Sequence, residues 1–184
     1  DMLFLLLISG AALLTRFYLF PIESNDYQQF LQNWFATLKE NGGLAAIGMN
    51  IGDYMPPYFY ILALLTYLPF NDLYLIKLVS CTADFVLAYY VMRAVSLRYP
   101  GRPQGFMAYA VVLFLPSVVL NSAAWAQCDA MYTAALLACL YYLLVNRPNR
   151  AVLAVSISFV LTFPAIFFAP FFLLLVFKRS DNLR

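Results

Sequence analysis

Long, uninterrupted apolar runs constrain the fold of this chain more than any other feature of its sequence. The first run, Met2–Phe20, carries a single charged residue, Arg16. Hydrophobic residues make up 64% of the chain, and the mean hydropathy is +0.78. A soluble fold of this size would expose large apolar patches. Because the runs are continuous rather than alternating, and because lipid requires internal backbone pairing, the sequence predicts an all-α polytopic membrane protein.

Five later apolar runs set the expected number of spans. They cover Leu73–Val95, Gly105–Leu120, Ala130–Val145, Ala151–Phe163 and Ala165–Phe177. Together with the first run they predict about six transmembrane helices in a single domain over residues 1–184. We expect Met2–Phe20 to be a retained helix rather than a signal peptide, because no small-residue cleavage site follows it.

The shorter run Tyr58–Phe70 decides which loops share a side of the membrane. Its thirteen residues are few for a full span. If it crosses, the arginine-rich loops lie on the same side as Asp26. If it re-enters or lies on the surface, they lie on the opposite side with the basic C-terminal tail, which the positive-inside rule favours. We therefore predict cytoplasmic termini and a non-cytoplasmic face shared by Asp26, Asp53 and Asp129.

The long polar segment 21–70 is the expected outer loop, with helices at the membrane surface. Within it, Asp26–Asn41 predicts a helix that Ser24 or Asn25 caps and Gly42-Gly43 ends. Apolar positions recur there at intervals of three and four residues, opposite a polar face. We expect this amphipathic helix to lie on the membrane with Trp34 at headgroup level.

Several chemistries are excluded by residue counts. The chain has no histidine, which removes histidine-ligated metal sites, haem held by histidine and a Ser-His-Asp triad. Its three cysteines lie in or beside apolar runs and do not form a disulfide framework. A net charge of +2 is too weak to indicate nucleic acid as a partner. We predict no metal site and no cofactor, while a divalent cation remains open.

Asp26 is the predicted catalytic base, because it lies in a polar loop held between apolar helices. The alternative for Asp26 is an ordinary N-terminal helix residue favoured by the helix dipole. Asp129 ends the string Trp125-Ala126-Gln127-Cys128-Asp129 and is either a helix cap or part of the same site. Asp53 and Tyr54 precede a Pro-Pro turn, either as a helix start or as a sugar-stacking surface.

Three further charged residues lie inside apolar runs. Arg16, at the outer end of the first span, either binds a phosphate or snorkels to lipid headgroups. Lys77 and Asp84 share one face of the Leu73–Val95 helix, where a structural polar contact is expected rather than catalysis.

In order and spacing, these motifs resemble the GT-C superfamily of membrane-embedded glycosyltransferases, and more narrowly the bacterial relatives of the GPI mannosyltransferase family. The likeness covers essentially the whole chain. It rests on Arg16, on Asp26-Tyr27 with Phe30 and Trp34, on Gly42-Gly43, on Gly52-Asp53-Tyr54-Met55-Pro56-Pro57-Tyr58 and on Trp125-Ala126-Gln127-Cys128-Asp129. In the family pattern, glycine stands where this chain has Ala126, and a lysine or similar polar residue stands at Thr162-Phe163-Pro164.

The resemblance implies a reaction on the non-cytoplasmic face. A polyprenyl-phosphate sugar, carrying mannose or another hexose, would be the donor, and Asp26 would deprotonate an acceptor hydroxyl. Transfer would invert the anomeric carbon, with Arg16 near the departing phosphate. Asp53, Tyr54, Trp125, Gln127 and Asp129 would bind donor or acceptor. Family members are commonly longer, so we expect this chain to be the conserved N-terminal module.

Two other functions are compatible with the sequence. The chain can be a non-catalytic membrane subunit that kept the fold and packs against other membrane proteins; the Thr162-Phe163-Pro164 departure favours this. A small transporter is the weaker alternative, because no paired broken helices recur in two halves.

Overall fold

A computed structural model describes residues 2–172 and 174, and every regular element in this part of the chain is helical. In chain order the α-helices are α1 (Met2–Leu19), α2 (Gln32–Glu40), α3 (Pro56–Leu65), α4 (Asp72–Arg98), α5 (Gln104–Phe114), α6 (Pro116–Val119), α7 (Asp129–Leu144) and α8 (Pro148–Leu161). Two π-helical segments, Tyr27–Leu31 and Leu120–Ala124, lead into α2 and follow α6. Two 3₁₀ segments cover Gly43–Gly48 and Phe163–Phe168.

The long helix α4 is the centre of the bundle. It packs against α5 and α7, and α7 in turn packs along α8. Small residues such as Ala138, Ala151 and Ala154 are buried between α7 and α8, which lets the two backbones approach closely. Helix α1 joins this bundle along one narrow face that includes Ala12, and its other faces are exposed leucines and aromatics.

Two helices of the described residues, α1 and α4, are long and apolar enough to cross a membrane. A third candidate is the pair Gln104–Phe114 and Pro116–Ala124, which is bent by 49° where Pro116 interrupts the helix. The other predicted spans form shorter apolar helices. The last one, Ala165–Phe177, lies partly outside the described residues. The number of six spans therefore stays a prediction.

Helix α3 is the element formed by the run Tyr58–Phe70. It begins at Pro56 and has ten residues, which extend over about 15 Å, roughly half of a hydrocarbon core. A helix of this length cannot cross the membrane unaided. One face, with Tyr58, Leu62 and Ala63, is buried against the rest of the protein.

The predicted helix after the first run is present, but its apolar face packs against protein, where the sequence pattern predicted lipid; the headgroup-level position of Trp34 stays a prediction. Ser24 caps it by accepting a hydrogen bond from the backbone N–H of Tyr27 at 3.1 Å, and Gly42 ends it with a φ of +85°. However, Trp34 is only 8% exposed, within one core cluster that also contains residues of α3 and α4. Amphipathicity identified the apolar face, but protein rather than lipid covers it.

Candidate functional site

One end of the bundle gathers most of the predicted site residues. The chain leaves α1 here, α4 begins here, and the segment between α6 and α7 crosses the same end. The hydroxyl of Tyr27 donates a hydrogen bond to Asp72 at 2.8 Å, which joins the loop helix to the start of α4. The hydroxyl of Ser24 donates to the backbone carbonyl of Trp125 at 2.9 Å. These contacts fix the loop that carries Asp26 against the segment that carries Gln127.

A hydrogen-bonded chain joins Asp26, Gln127 and Tyr54. The side-chain amide of Gln127 donates to Oδ2 of Asp26 at 2.7 Å, while its carbonyl accepts from the hydroxyl of Tyr54 at 3.1 Å. Oδ1 of Asp26 has no hydrogen-bond partner among residues 2–172 and 174. One oxygen of the carboxylate is thus positioned and the other is available to accept a proton.

These three residues line a pocket of about 320 Å³, which we call the acidic pocket. Asp53 supplies its second carboxylate. The rings of Phe30, Trp34 and Tyr54 and the side chain of Leu31 form the apolar part of its lining. The rings of Trp34 and Tyr54 have centroids 5.2 Å apart at 58°. A volume of this size is at the lower end of the roughly 300–1,000 Å³ typical of small-molecule sites. Apolar rings with a few polar groups are the lining such sites use.

The backbone at both edges of the acidic pocket is irregular. One π-helical segment follows Asp26 directly, and the other ends at the residue before Trp125. Ala126 is fully buried and has a φ of +60°, a left-handed conformation that favours glycine. This conformation turns the chain between Trp125 and Gln127. Strained backbone of this kind persists where surrounding contacts hold it, and it clusters at functional sites.

Gly52 lies against the indole ring of Trp34. A Cβ atom at this position would be 2.4 Å from two atoms of the indole ring. Only glycine therefore lets the chain pass over the ring just before Asp53 and Tyr54. This close contact sets the spacing between the α2 wall of the acidic pocket and the irregular segment that supplies its second carboxylate.

Burial changes the acidity of two groups beside the acidic pocket. It raises the pKa of Tyr54 to about 12, with further contributions from Cys128, Asp129 and Asp26. It also raises the pKa of the Cys128 thiol to about 12, with Asp129 adding to the effect. Tyr54 is therefore a neutral hydrogen-bond donor at physiological pH, and Cys128 is a thiol rather than a nucleophilic thiolate.

Arg16 is not brought to the acidic pocket. It is 1% exposed, and its Nε and Nη2 atoms donate to Oδ2 of Asp84 at 3.0 and 2.9 Å. Its Nη1 atom donates to the carbonyls of Ala12 and Leu113. Neither of the roles open from sequence, snorkelling to headgroups or holding a phosphate, agrees with this placement, because the guanidinium is enclosed and paired. Asp84 also accepts a hydrogen bond from Ser122 at 2.5 Å.

Lys77 has a structural role near the loop. Its ammonium group donates to the carbonyls of Leu19, Phe20 and Ile22 at 3.2, 2.9 and 2.5 Å. These carbonyls belong to the end of α1 and the residues just after it, where helical partners are lacking. Lys77 therefore fixes the point from which the chain continues to Asp26.

The remaining predicted residues lie near the acidic pocket but do not line it. Trp125 is 58% exposed, and its backbone carbonyl rather than its ring contacts Ser24. Asp129 begins α7 and accepts a hydrogen bond from Asn121 at 3.0 Å. It lines a small adjacent cavity of about 30 Å³ together with Tyr54 and Thr162. Asp129 thus combines the helix-start role with a position next to the site.

The described residues show no group of three or more His, Cys, Asp or Glu side chains that could hold a metal ion. Asp26 and Asp53 are the acidic residues of the pocket, and two carboxylates supply only part of a cation's coordination shell.

Four contributors to the site were not assigned to it from the sequence: Gly52, Ser24, Phe30 and Trp34. Gly52 could have been recognised from its place directly before Asp53. Ser24 was expected as a cap, but its contact with Trp125 joins residues 101 positions apart and left no local signal. Phe30 and Trp34 were noted for their periodicity rather than as a pocket wall.

In comparisons with known proteins, no family model, no curated protein and no solved structure matches this chain.

Proposed function

We propose that this chain is a membrane-embedded glycosyltransferase that moves a hexose from a polyprenyl-phosphate donor to an acceptor hydroxyl, with Asp26 as the general base. The observation that carries the proposal is the hydrogen-bonded chain from Tyr54 through Gln127 to Asp26, at the edge of a pocket walled by aromatic rings. Apolar rings suit the C–H faces of a sugar, and carboxylates suit its hydroxyls. The described helices that can cross a membrane would hold the lipid part of the donor.

The reaction follows from the roles of these groups. The acceptor hydroxyl gives its proton to the free oxygen of Asp26 while its own oxygen bonds to the anomeric carbon. The bond between the anomeric carbon and the phosphate oxygen breaks, and the electron pair leaves with the lipid phosphate. One displacement inverts the anomeric configuration. Gln127 holds Asp26 in place, and neutral Tyr54 orients Gln127.

The proposal includes the six-span topology with the acidic pocket on the non-cytoplasmic face. Cysteine labelling on intact cells tests this arrangement, in a background where the three native cysteines are replaced by alanine. We expect an impermeant maleimide to label Asn50→Cys from outside, and Asn149→Cys only after permeabilisation. Labelling of Asn149→Cys but not of Asn50→Cys on intact cells would reverse the assigned faces.

Transfer of the sugar from donor to acceptor should be measured in reconstituted membranes. Proteoliposomes would contain the protein, a membrane lipid extract as the acceptor source and radiolabelled polyprenyl-phosphate mannose or glucose. We expect transfer by the unmodified protein and loss of transfer by about 10²–10⁴-fold in Asp26→Asn, the range for removal of a general base. Glu40→Gln, at the exposed end of α2, removes an equal charge outside the pocket and should retain activity. Equal activity of Asp26→Asn and the unmodified protein would remove Asp26 from this role.

A non-catalytic subunit is the second candidate, and one observation favours it. None of the seven residues that line the acidic pocket is a lysine or arginine, so a departing phosphate would need a cation from elsewhere. Activity that depends on added Mg²⁺ or Mn²⁺ would answer this objection. If a correctly folded protein neither binds nor transfers either donor with these ions present, the subunit assignment replaces the transferase.

A further inference from the structure

We infer that the opposite end of the bundle holds a binding site for the phosphate group of an anionic phospholipid. The site is a cavity of about 450 Å³, here called the basic cavity, formed where α4 and α7 end and α8 begins. Three arginines line it: Arg93, Arg147 and Arg150. Four tyrosines complete its polar wall: Tyr89, Tyr90, Tyr141 and Tyr142.

Charge is the first argument. No acidic side chain lines the basic cavity, and in the part of the chain that the structure describes none of its three arginines forms an ion pair. Three cations around one opening repel one another unless an anion lies between them. Arginine presents a planar fork of donors that matches phosphate oxygens.

The second argument is that Arg93 is held in position. Its guanidinium donates to the hydroxyl of Tyr89 at 2.6 Å and to the hydroxyl of Tyr141. It also lies over both rings, 5.6 and 5.0 Å from their centroids. A guanidinium has five N–H donors, so donors remain after these two bonds. A positioned arginine loses less conformational freedom on binding than a freely moving one.

The third argument is position in a membrane. Tyr90 and Tyr142 share a hydrogen bond at 3.2 Å, and Arg150 lies 5.8 Å from the centre of the Tyr142 ring. Tyrosine and arginine together are typical of headgroup level. Arg93 is roughly 30 Å along α4 from Asp72, about one hydrocarbon thickness from the acidic end. Basic pockets between helices at the cytoplasmic side bind anionic headgroups.

A charge-matched pair of double variants tests the site. Arg147→Gln/Arg150→Gln removes two charges from the basic cavity, while Arg98→Gln/Arg102→Gln removes two charges from the same end outside it. Purified protein would be titrated with phosphatidylglycerol in neutral detergent, and bound lipid would be counted by native mass spectrometry. We expect the first variant to lose affinity by about tenfold or more and the second by less than about threefold. Equal losses would show general surface attraction and overturn the site.

A second pair of variants tests the positioning of Arg93 without changing the net charge. Tyr89→Phe/Tyr141→Phe removes the two hydroxyls that hold Arg93, and Tyr99→Phe is the control at the same end. We expect about a threefold loss of phosphatidylglycerol affinity in the double variant and none in the control. No loss in the double variant would show that Arg93 needs no positioning and would contradict the built site. Circular dichroism confirms that each variant remains helical.

Two further titrations identify the source of the phosphate. Phosphatidylcholine carries the same phosphate without net negative charge and should bind at least tenfold more weakly than phosphatidylglycerol. Inorganic phosphate at millimolar concentration should not displace bound phosphatidylglycerol. Displacement at that concentration would assign the cavity to a free phosphate and overturn the lipid assignment. Neither result depends on sugar transfer, so this inference and the proposed function can fail separately.

Discussion

The two ends of this bundle use aromatic rings in the same way but place opposite charges among them. The acidic pocket joins residues far apart in the sequence, since Gln127 and Asp26 are separated by 101 positions. In the basic cavity, Arg93 and Tyr89 are one helical turn apart on α4, and the tyrosines of α7 lie beside them. The acidic pocket therefore depends on how irregular loops are held, whereas the basic cavity is set mainly by helical register.

This difference makes the two ends separable by mutation. Changes that disturb loop packing should affect the acidic pocket and leave the basic cavity intact. Changes in the buried centre should affect both, because both ends are held by α4. The predictions below test this separation, beginning with the largest expected effect.

Arg16→Met should affect both ends together. It leaves Asp84 buried without its cation, which typically lowers the free energy of unfolding by about 3–5 kcal/mol. The double variant Arg16→Met/Asp84→Leu removes both charges and should recover most of that loss, since two well-packed apolar residues can replace a buried ion pair. Chemical unfolding in detergent measures both. A double variant as unstable as the single one would contradict the pairing.

Gly52→Ala should affect only the acidic end. The new methyl group would overlap the Trp34 ring, and overpacking of this kind typically lowers stability by about 1–3 kcal/mol. In a Trp125→Phe background, the fluorescence of Trp34 reports the displacement directly. Gly10→Ala in α1 is the control, because a Cβ there meets no atom within 4 Å. Lipid binding at the basic cavity should be the same in both variants.

Ala126→Gly should have a small effect on stability. Glycine removes the strain of a φ of +60° but also removes a buried methyl group, and the two contributions are each about 1 kcal/mol. Ala126→Val should be clearly destabilising, because a β-branched residue is poorly tolerated in this conformation. Thermal unfolding compares the two. Similar stability of the valine and glycine variants would show that the left-handed turn is absent.

Ionisation of Tyr54 should lower the stability of the folded protein, and only at alkaline pH. Its pKa is raised from 10.0 to about 12, so folding favours the neutral phenol. This contribution to stability is complete below pH 10 and is lost as the pH rises towards 12. Absorbance titration at the phenolate band should show one fewer late-titrating tyrosine in Tyr54→Phe than in the unmodified protein. Ionisation of Tyr54 near pH 10 in the folded protein would contradict the enclosed position.

Sequence patterns predicted the local features of this fold well. Helices occupy the apolar runs, Ser24 caps the loop helix, Gly42 ends it, and the helix that begins at Pro56 is too short to cross. These features depend on a few neighbouring residues and on hydropathy. The number of spans does not follow from hydropathy alone, because Pro116 divides one apolar run and the other apolar helices are shorter than a full span.

Pairing across the bundle was harder to predict. Asp26 and the Gln127 segment lie at one end of the bundle, as expected, whereas the re-entrant or surface placement of the Pro-Pro helix stays a prediction. Arg16 was assigned to the phosphate because it stands near the end of the first run, and its partner Asp84 is 68 residues away with no local sign of the pairing. Trp34 was assigned to lipid because periodicity shows which face is apolar but not what covers it.

The ion pair between Arg16 and Asp84 also bears on how the protein is assembled. Helix α1 emerges from the ribosome before α4, and the carboxylate that neutralises its arginine is made 68 residues later. A charged residue in an apolar helix opposes entry into lipid until it finds a partner. Helix α1 should therefore remain at the insertion machinery until α4 arrives, so that a segment made earlier settles only with its later partner.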